Sequence, residues 1–332
     1  MSFPAPDVHI VGAGIIGLSI GWRLARAGAR VRIMDAHSTG SGASHAAAGM
    51  LSAGWKFEND VLSLNLAQVS RTMYPEFIDY LSADADLPID FAECGAIERP
   101  ENDAQWNALV SQARRQQELG IACEIQDGEV FFPGDATVNP RDVLAALRRA
   151  CILRNVEILE NQPVKIIDAH GPITVIAAGC WSGAIRIVHE KRSIELPDVA
   201  PVKGHLIGYF MPSGSLPHIL RCGATYILQR SNGFTIAGST LERVGFDTRV
   251  DPSICHAIHQ RASRLWPALR DRAPVECWTG LRPEGLDGQA AIGQVRETSI
   301  WLAYGHYRNG VLLAPITAEL IASGIMSSPG TD

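Results

Sequence analysis

Val8–Gly17, which reads VHIVGAGIIG, is the stretch of this 332-residue chain that decides its fold. The apolar run from Val8 to Val11 stops at a glycine, as a buried parallel strand does. Helical spacing follows as far as Gly28, and Ala29–Met34 predicts a second strand that closes on Asp35. A strand, tight turn, helix and strand within about thirty residues predict a βαβ unit at the start of an α/β fold.

The glycines of this turn form a Gly-x-Gly-x-x-Gly motif. Gly12 permits a tight turn, Gly14 lets the backbone approach a pyrophosphate, and Gly17 allows the helix to pack closely on the strand. Asp35, 18 residues after Gly17, can accept hydrogen bonds from both ribose hydroxyls and would repel a 2′-phosphate. The motif predicts a dinucleotide site but leaves FAD and NAD open, and a glycine-rich turn without a nucleotide is the alternative.

The segment Gly40–Leu51 consists of very small residues and ends in two large apolar ones. Small side chains suit a backbone that lies against a flat ring system and a diphosphate, and Ser44 could donate a hydrogen bond there. This segment favours FAD, although an ordinary buried helix start would have the same composition.

The composition describes a globular protein that is too long for one small domain, since 46% of its residues are hydrophobic and 19% are charged. A formal charge of −6 and a pI near 5.9 argue against a nucleic-acid partner, because no basic excess is available for phosphates. The seven cysteines are odd in number and lack a Cys-x-x-Cys pair, which favours reduced thiols in a cytoplasmic protein. The apolar run Val8–Trp22 is short for a membrane span and contains four glycines, so we expect no membrane partner.

Further along the chain, helical and strand patterns alternate without a linker, which predicts interleaved domains. Asn139 can cap a helix that begins at Pro140, because an Asn side chain accepts backbone N–H groups and proline suits the first helical position. From Gly204 to Thr240, short strands alternate with turns and predict an antiparallel sheet. The other predicted helices are residues 63–81, 103–120, 252–269 and 314–326, and the other strands are Val164–Ile167 and Thr174–Ala177.

With these blocks in order, the sequence resembles the D-amino acid oxidase superfamily and, within it, most closely the glycine oxidases of the thiamine pathway. The resemblance covers nearly the whole chain, and its last block is the most specific. The blocks are the glycine motif with Asp35, Gly42–Leu51, Val175–Ser182, Pro201–His205, Trp278–Pro283 and Gly305–Pro315.

The resemblance implies an FAD-binding Rossmann-like α/β domain of the glutathione-reductase type, with an interleaved α+β substrate domain built on an antiparallel sheet. The expected FAD domain comprises residues 1–85, 138–205 and 285–332, and the expected substrate domain comprises 86–137 and 206–284. The residues that the resemblance assigns to FAD are Gly12, Gly14, Ile15, Ile16, Gly17, Asp35, Ala36, Ala43, Ser44, Ala48, Gly49, Met50, Val164, Gly179, His306, Tyr307, Arg308, Asn309, Gly310, Val311 and Leu312.

In enzymes of this type, arginine and a tyrosine hydroxyl hold the substrate carboxylate. Matched motif to motif, Arg308, Arg282 and Tyr226 take these positions. A planar guanidinium presents paired donors to a carboxylate, which lysine cannot do. The alternatives are that the arginines are buried partners of acids such as Asp287, and that the tyrosine is a strand aromatic.

Some residues depart from the family's pattern. Aspartate at position 35 replaces the more frequent glutamate, and Lys203 stands where arginine is common. No cysteine lies beyond Cys277, so we expect non-covalent FAD. His45 is expected near the flavin in a packing or tuning role.

Cys255, His256 and His259 lie on one predicted helix without a carboxylate to complete a ligand set. We therefore expect no metal site.

The resemblance implies oxidative deamination of glycine, sarcosine or a small D-amino acid, with O2 reduced to H2O2. Leu241 aligns with an apolar pocket wall, and the family suggests a homo-oligomer such as a tetramer. One alternative is a D-amino acid dehydrogenase that passes electrons to another carrier. The other is a flavin-binding protein without turnover.

Overall fold

The computed structural model describes residues 7–54, 61–189, 192–285 and 288–327. The described residues form seven α-helices, which alternate with strands along the chain. These helices are α1 (Ile15–Arg26), α2 (Ala43–Ala46), α3 (Val61–Ala85), α4 (Asp103–Glu118), α5 (Pro140–Leu153), α6 (Pro252–Leu265) and α7 (Gly310–Ser327).

The same residues form twenty short strands. They are β1 (Asp7–Val11), β2 (Arg30–Met34), β3 (Met50–Leu51), β4 (Phe91–Ala92), β5 (Ala96–Glu98), β6 (Glu124–Gln126), β7 (Glu129–Phe132), β8 (Ala136–Val138), β9 (Glu157–Leu159), β10 (Ile166–Asp168), β11 (Ile173–Ile176), β12 (Arg186–His189), β13 (Arg192–Ile194), β14 (Val199–Phe210), β15 (Ile219–Cys222), β16 (Thr225–Gln229), β17 (Phe234–Gly238), β18 (Glu276–Gly285), β19 (Ala291–Gln294) and β20 (Ile300–Tyr304).

The first sheet contains the strands of the predicted βαβ unit. Its strand order is β19-β20-β11-β1-β2-β9, and all its pairs are parallel except β19 with β20. Helix α1 packs against α5 and α7, and α3 also packs against α7, so that the largest apolar core lies among these helices and the sheet. The predicted parallel strands at the N-terminus and at residues 174–177 are confirmed to within one residue.

The second large sheet is mainly antiparallel. Its strand order is β18-β14-β17-β16-β15-β5-β7-β6, and the pair of β15 with β5 is parallel. The antiparallel sheet predicted for Gly204–Thr240 is present, and it recruits strands from residues 96–132 and 276–285. The predicted fold class, a Rossmann-like α/β part with an antiparallel α+β part, is confirmed. The predicted domain boundaries remain a prediction.

Helix α5 begins as its sequence indicates. The Asn139 side chain accepts a hydrogen bond from the Arg141 amide at 3.2 Å, and Pro140 is the first helical residue. Helix α6 ends at Leu265, four residues before the predicted end, and a short 3-10 turn continues from Pro267 to Leu269. Proline disfavours helical geometry in the residue before it, and this explains the interruption.

Helix α7 begins four residues earlier than predicted, at Gly310, although Pro315 lies inside it. Proline cannot donate to the carbonyl four residues before it, which here is that of Val311. The Tyr74 hydroxyl of α3 donates to this carbonyl at 2.5 Å, so the oxygen remains paired. By length and composition alone α7 could cross a membrane, but 61% of its most apolar window is buried inside the protein, as in a core helix of a soluble protein.

Candidate functional site

A cavity of about 1150 Å³ opens where four strands of the parallel sheet end. Gly12 follows β1, Asp35 follows β2, Gly179 follows β11 and His306 follows β20, and all four residues line the cavity. Ligands of open α/β sheets bind at the carboxyl ends of the strands. The antiparallel sheet supplies the opposite wall through residues of β14, β16 and β18.

The glycine turn has the geometry that the motif predicts. Gly12 has a φ of +112°, and a Cβ there would lie 2.3 Å from the Ala177 carbonyl oxygen. A Cβ on Gly17 would lie 1.9 Å from the Gly12 oxygen, so α1 can pack this closely on β1 only with glycine. Gly14 lines the cavity at the N-terminus of α1, whose first turn contains no acidic residue. This backbone fits a diphosphate, because the helix N-terminus offers N–H groups and a positive dipole.

Two side chains fix this turn. One oxygen of Asp35 accepts a hydrogen bond from the Ala13 amide at 2.7 Å, and the other accepts from the His37 amide at 2.8 Å. A carboxylate has about four acceptor sites, so this bonding leaves capacity for a ribose. The Ser44 hydroxyl, which was expected to donate, accepts from the Ile15 amide at 3.0 Å, and its own hydrogen remains available for a ligand.

Nineteen of the twenty-one residues predicted to bind FAD line the cavity. The two exceptions are Gly17, whose packing role is described above, and Leu312. Leu312 was expected beside the flavin, but it is 2% exposed and lies in the helical core, where its carbonyl accepts a hydrogen bond from the Ser70 hydroxyl at 2.6 Å. Its side chain lies on the face of α7 that packs into this core.

His306 is a buried member of the cavity wall. Its Nε2 atom lies 3.0 Å from the Thr317 hydroxyl. Burial lowers the pKa of His306 to about 4. The ring is therefore neutral at physiological pH.

Arg282, on β18, lines the part of the cavity that faces the antiparallel sheet. Its Nη1 donates to the Thr240 carbonyl at 3.1 Å, and its Nη2 donates to the Ser239 hydroxyl at 3.0 Å. A Cβ on Gly204 would lie 2.3 Å from both terminal nitrogens, so the guanidinium rests directly on the backbone of β14. Burial lowers the pKa of Arg282, and no described carboxylate forms a salt bridge with it. Asp287, the acid considered from the sequence, lies outside the described residues.

Tyr226 stands beside this arginine. It is 5% exposed and lines the cavity from β16. Burial raises the pKa of the Tyr226 hydroxyl, whereas the Arg282 charge and a hydrogen bond with Ser239 act in the opposite direction. The structure therefore places Arg282 and Tyr226 side by side in the cavity wall.

Arg308 occupies a different setting. It lies in the 3-10 turn Tyr307–Asn309 between β20 and α7, lines the cavity and remains exposed. Its guanidinium carbon lies 5.0 Å from the centre of the Tyr307 ring. The Arg308 charge acts on Arg282 and lowers its pKa, so the two cations share one end of the cavity.

His45 was expected near the flavin, but the structure places it elsewhere. It is exposed and lines a small surface depression with Arg141 and Arg148, outside the main cavity. Successive residues of a helix point about 100° apart, and in the single turn of α2 the neighbouring Ala46 lines the cavity instead of His45.

The three residues considered as metal ligands have different environments. Cys255 is buried, His256 is exposed, and His259 Nδ1 lies 2.8 Å from the Tyr209 hydroxyl. Within the described residues, no group of three potential metal ligands occurs. All seven cysteines lie in the described part of the chain and are free thiols.

The sequence did not single out Ser239 and Thr240, which hold Arg282, or the contact of Arg282 with Gly204. Gly204 lies in the block Pro201–His205, and the lack of a side chain at this position was the only indication of the contact in the local sequence. The serine and threonine carry no signal, because their role depends on the pairing of distant strands.

Comparisons with known proteins give one consistent result. The family described as DAO, FAD dependent oxidoreductase, matches residues 7–323. Glycine oxidase from Geobacillus kaustophilus is 31% identical, over 95% of this chain and 92% of that protein. The crystal structure of glycine oxidase from the same species superposes with a TM-score of 0.90 and 28% identity, over 99% of this chain and 96% of that one. The bifunctional protein ThiO/ThiG of Synechocystis is 33% identical over 96% of this chain, which spans about half (51%) of that protein.

Proposed function

This chain belongs to the FAD-dependent oxidoreductase family, and on that premise we propose that it is an oxidase of small amino acids. The expected substrates are glycine, sarcosine and small D-amino acids, which are converted to the oxo acid while O2 is reduced to H2O2. The observation that carries the proposal is the pair of Arg282 and Tyr226 in the cavity wall. Support comes also from relatives named glycine oxidase that align over nearly their whole length.

Residues at the carboxyl ends of the parallel strands would hold the cofactor. The turn at Gly12–Gly14 would bind the diphosphate, Asp35 the ribose, and the segment from His306 to Val311 the flavin end. FAD held there would supply the two-electron acceptor for oxidation of the substrate and a route for the electrons to O2. Because no cysteine follows Cys277, the attachment is expected to be non-covalent.

The carboxylate would bind at the Arg282 guanidinium. Its two described hydrogen-bond partners are neutral, so its charge is not cancelled by a salt bridge within the described residues. A guanidinium has five N–H donors, so two can still form the paired bonds that a carboxylate favours. The Tyr226 hydroxyl lies on the same wall and would bind a carboxylate oxygen. Arg308 would add a second positive charge at the cavity end.

The protein's contribution to the reaction is to position the substrate and to exclude water from the reacting atoms. His306 is engaged with Thr317 and has a pKa of about 4, so it would be too weak a base to take the proton of a substrate ammonium at physiological pH. The ammonium proton of the substrate would therefore leave to solvent before the amine is oxidised.

The test is anaerobic addition of glycine, sarcosine, D-alanine or D-phenylalanine to the FAD-loaded protein while the oxidised flavin absorbance is followed. We expect bleaching with the small amines, and one H2O2 for each ammonia or methylamine released after air is admitted. Bleaching without reoxidation by O2 would assign the protein to the dehydrogenases. A yellow protein that none of these amines bleaches would overturn the proposal in favour of a flavin-binding protein.

We further propose a cytoplasmic homo-oligomer such as a tetramer, as implied by the family resemblance. Size-exclusion chromatography with light scattering measures the mass of the assembly. A mass of about 36 kDa, that of one 35.8 kDa chain, would contradict the oligomer.

A further inference from the structure

A buried arginine lies directly behind the cavity wall at Ala48 and Gly49. Arg230 follows β16, is 4% exposed and does not line the cavity itself. Its Nη2 donates to the Ala48 carbonyl, whereas its Nε and Nη1 are buried without a hydrogen-bond partner among the described residues. A buried cation with free donors is costly to the fold, so the presence of Arg230 at this position needs an explanation.

The carbonyl that Arg230 binds belongs to the peptide between Ala48 and Gly49. This peptide is trans, and in a trans peptide the carbonyl and the N–H point in opposite directions. Because the carbonyl is turned to Arg230, which does not line the cavity, the Gly49 amide is directed away from Arg230, and Gly49 itself lines the cavity. No described residue accepts a hydrogen bond from this amide.

The backbone around Gly49 is fixed from the other side as well. Gly49 has a φ of +79°, and a Cβ there would lie 2.0 Å from the Val138 carbonyl oxygen. The Gly49 carbonyl accepts a hydrogen bond from the Val138 amide at 2.9 Å. Arg230 therefore holds the Ala48 carbonyl, and β8 holds the Gly49 carbonyl.

We infer that Arg230 is a positioning residue for the flavin: it aims the Gly49 amide into the cavity and strengthens that amide as a hydrogen-bond donor to an electron-rich flavin atom. This inference rests on the flavin placement given under the proposed function. A hydrogen bond to a carbonyl polarises the whole peptide and makes its N–H a stronger donor. The effect is larger when the donor is charged, and Arg230 stays protonated, since burial lowers its pKa only to about 10.

Such a donor would favour negative charge on the flavin ring. Sulfite tests this without an amine substrate, because it adds to oxidised flavin and leaves a negative charge on the ring. In Arg230→Met we expect full FAD content, a sulfite Kd at least tenfold higher, and a midpoint potential lower by about 30 mV, the equivalent of tenfold for a two-electron couple. Arg230→Lys keeps the charge and a donor for Ala48, and its sulfite Kd should stay within about threefold of that of the unmodified protein.

Arg154→Met is the matched control. Arg154 follows α5 and binds Asp84 at 2.8 Å, outside the cavity, so its replacement should leave the sulfite Kd unchanged. The inference is overturned if Arg230→Met retains FAD and binds sulfite normally. It is also overturned if Arg230→Lys is as weak as Arg230→Met, because Arg230 would then serve packing alone.

A second variant decides the matter if Arg230→Met fails to fold or to retain FAD. Asp90 is the carboxylate that acts most strongly on the Arg230 charge, although the two form no salt bridge within the described residues. Asp90→Asn keeps an acceptor for the Ser231 amide and removes the opposing charge. Sulfite should then bind about two- to threefold more tightly, and unchanged or weaker binding would contradict the inference. Because no amine is present, failure here is distinct from failure to oxidise glycine.

Discussion

Replacing Arg282 tests the proposed substrate site most directly. The guanidinium is partly buried, lies against Gly204 and uses two of its five donors on Thr240 and Ser239. We take roughly 1.5–3 kcal/mol, the contribution of a hydrogen bond to a charged group, as the net loss for the whole carboxylate contact. Loss of the carboxylate interaction in Arg282→Ala should therefore raise the KM for glycine by about 10- to 150-fold, at about 1.4 kcal/mol per tenfold. The kcat should also fall, because a loosely held substrate is poorly aligned for hydride transfer.

Arg282→Lys should recover only part of this loss, since the charge returns without the planar pair of donors. The assay is steady-state H2O2 formation over a range of glycine concentrations, with the FAD content of each variant measured by absorbance. Arg249→Lys is the control, because Arg249 is exposed and binds Asp247. An unchanged KM in Arg282→Ala would refute the carboxylate role, and loss of FAD would make Arg282 a cofactor residue.

Arg308 provides the internal comparison. Its side chain is exposed, and exposed ion pairs typically contribute about 0.2–1 kcal/mol. Arg308→Ala should thus raise KM less than Arg282→Ala does, by up to about fivefold. A larger effect in Arg308→Ala would identify Arg308 as the main carboxylate ligand, as the specificity of its sequence block suggests.

Other variants and conditions test the remaining parts of the site. Gly14→Val should abolish FAD binding, because its side chain would occupy the space of the diphosphate; a folded variant with stoichiometric FAD, measured by absorbance, would reject this assignment. Gly204→Ala should displace the Arg282 guanidinium and raise KM at least tenfold with FAD retained, and a normal KM would exclude the close contact. Acid or heat denaturation should release FAD into the supernatant, whereas flavin in the precipitate would indicate a covalent bond. A higher kcat/KM for D-phenylalanine than for glycine would contradict the small pocket expected beside Leu241. His306 has a lower pKa in the fold, about 4, than in the unfolded chain, about 6.5. Protonation of His306 therefore destabilises the fold, and the free energy of unfolding should drop by roughly 3 kcal/mol as the pH falls from about 6.5 to 4. Measured by chemical denaturation, the free energy of unfolding of His306→Gln should depend less on pH than that of the unmodified protein.

The parts of the fold that the sequence predicts are those in which a local steric demand leaves few alternatives. The φ of Gly12 and the approach of Gly17 to the Gly12 carbonyl exclude any side chain, so these glycines mark the turn unambiguously. The cap at Asn139 and Pro140 is local in the same sense. Each of these features requires contacts among neighbouring residues only.

Element ends and side-chain directions were predicted less well. Helix α7 starts four residues before the predicted position, and Tyr74, far away in the sequence, pairs the carbonyl that Pro315 leaves free. His45 misses the cavity because its neighbours Ser44 and Ala46 take the cavity-facing positions of the single turn of α2. In both cases the outcome depends on tertiary contacts or on helix length, and the local pattern contains neither.

The position of Arg282 shows how strand register converts sequence motifs into a site. In the antiparallel pair of β14 and β18, Val202 lies opposite Arg282, and Gly204 lies opposite Gly280. Because side chains alternate between the two faces of a sheet, Arg282 shares its face with Gly204, two residues along the partner strand, and its guanidinium occupies the space where Gly204 lacks a side chain. A shift of one residue would turn Arg282 to the opposite face, away from Tyr226. The motifs Pro201–His205 and Trp278–Pro283 therefore act as one unit, since neither strand alone could hold a guanidinium at the cavity wall.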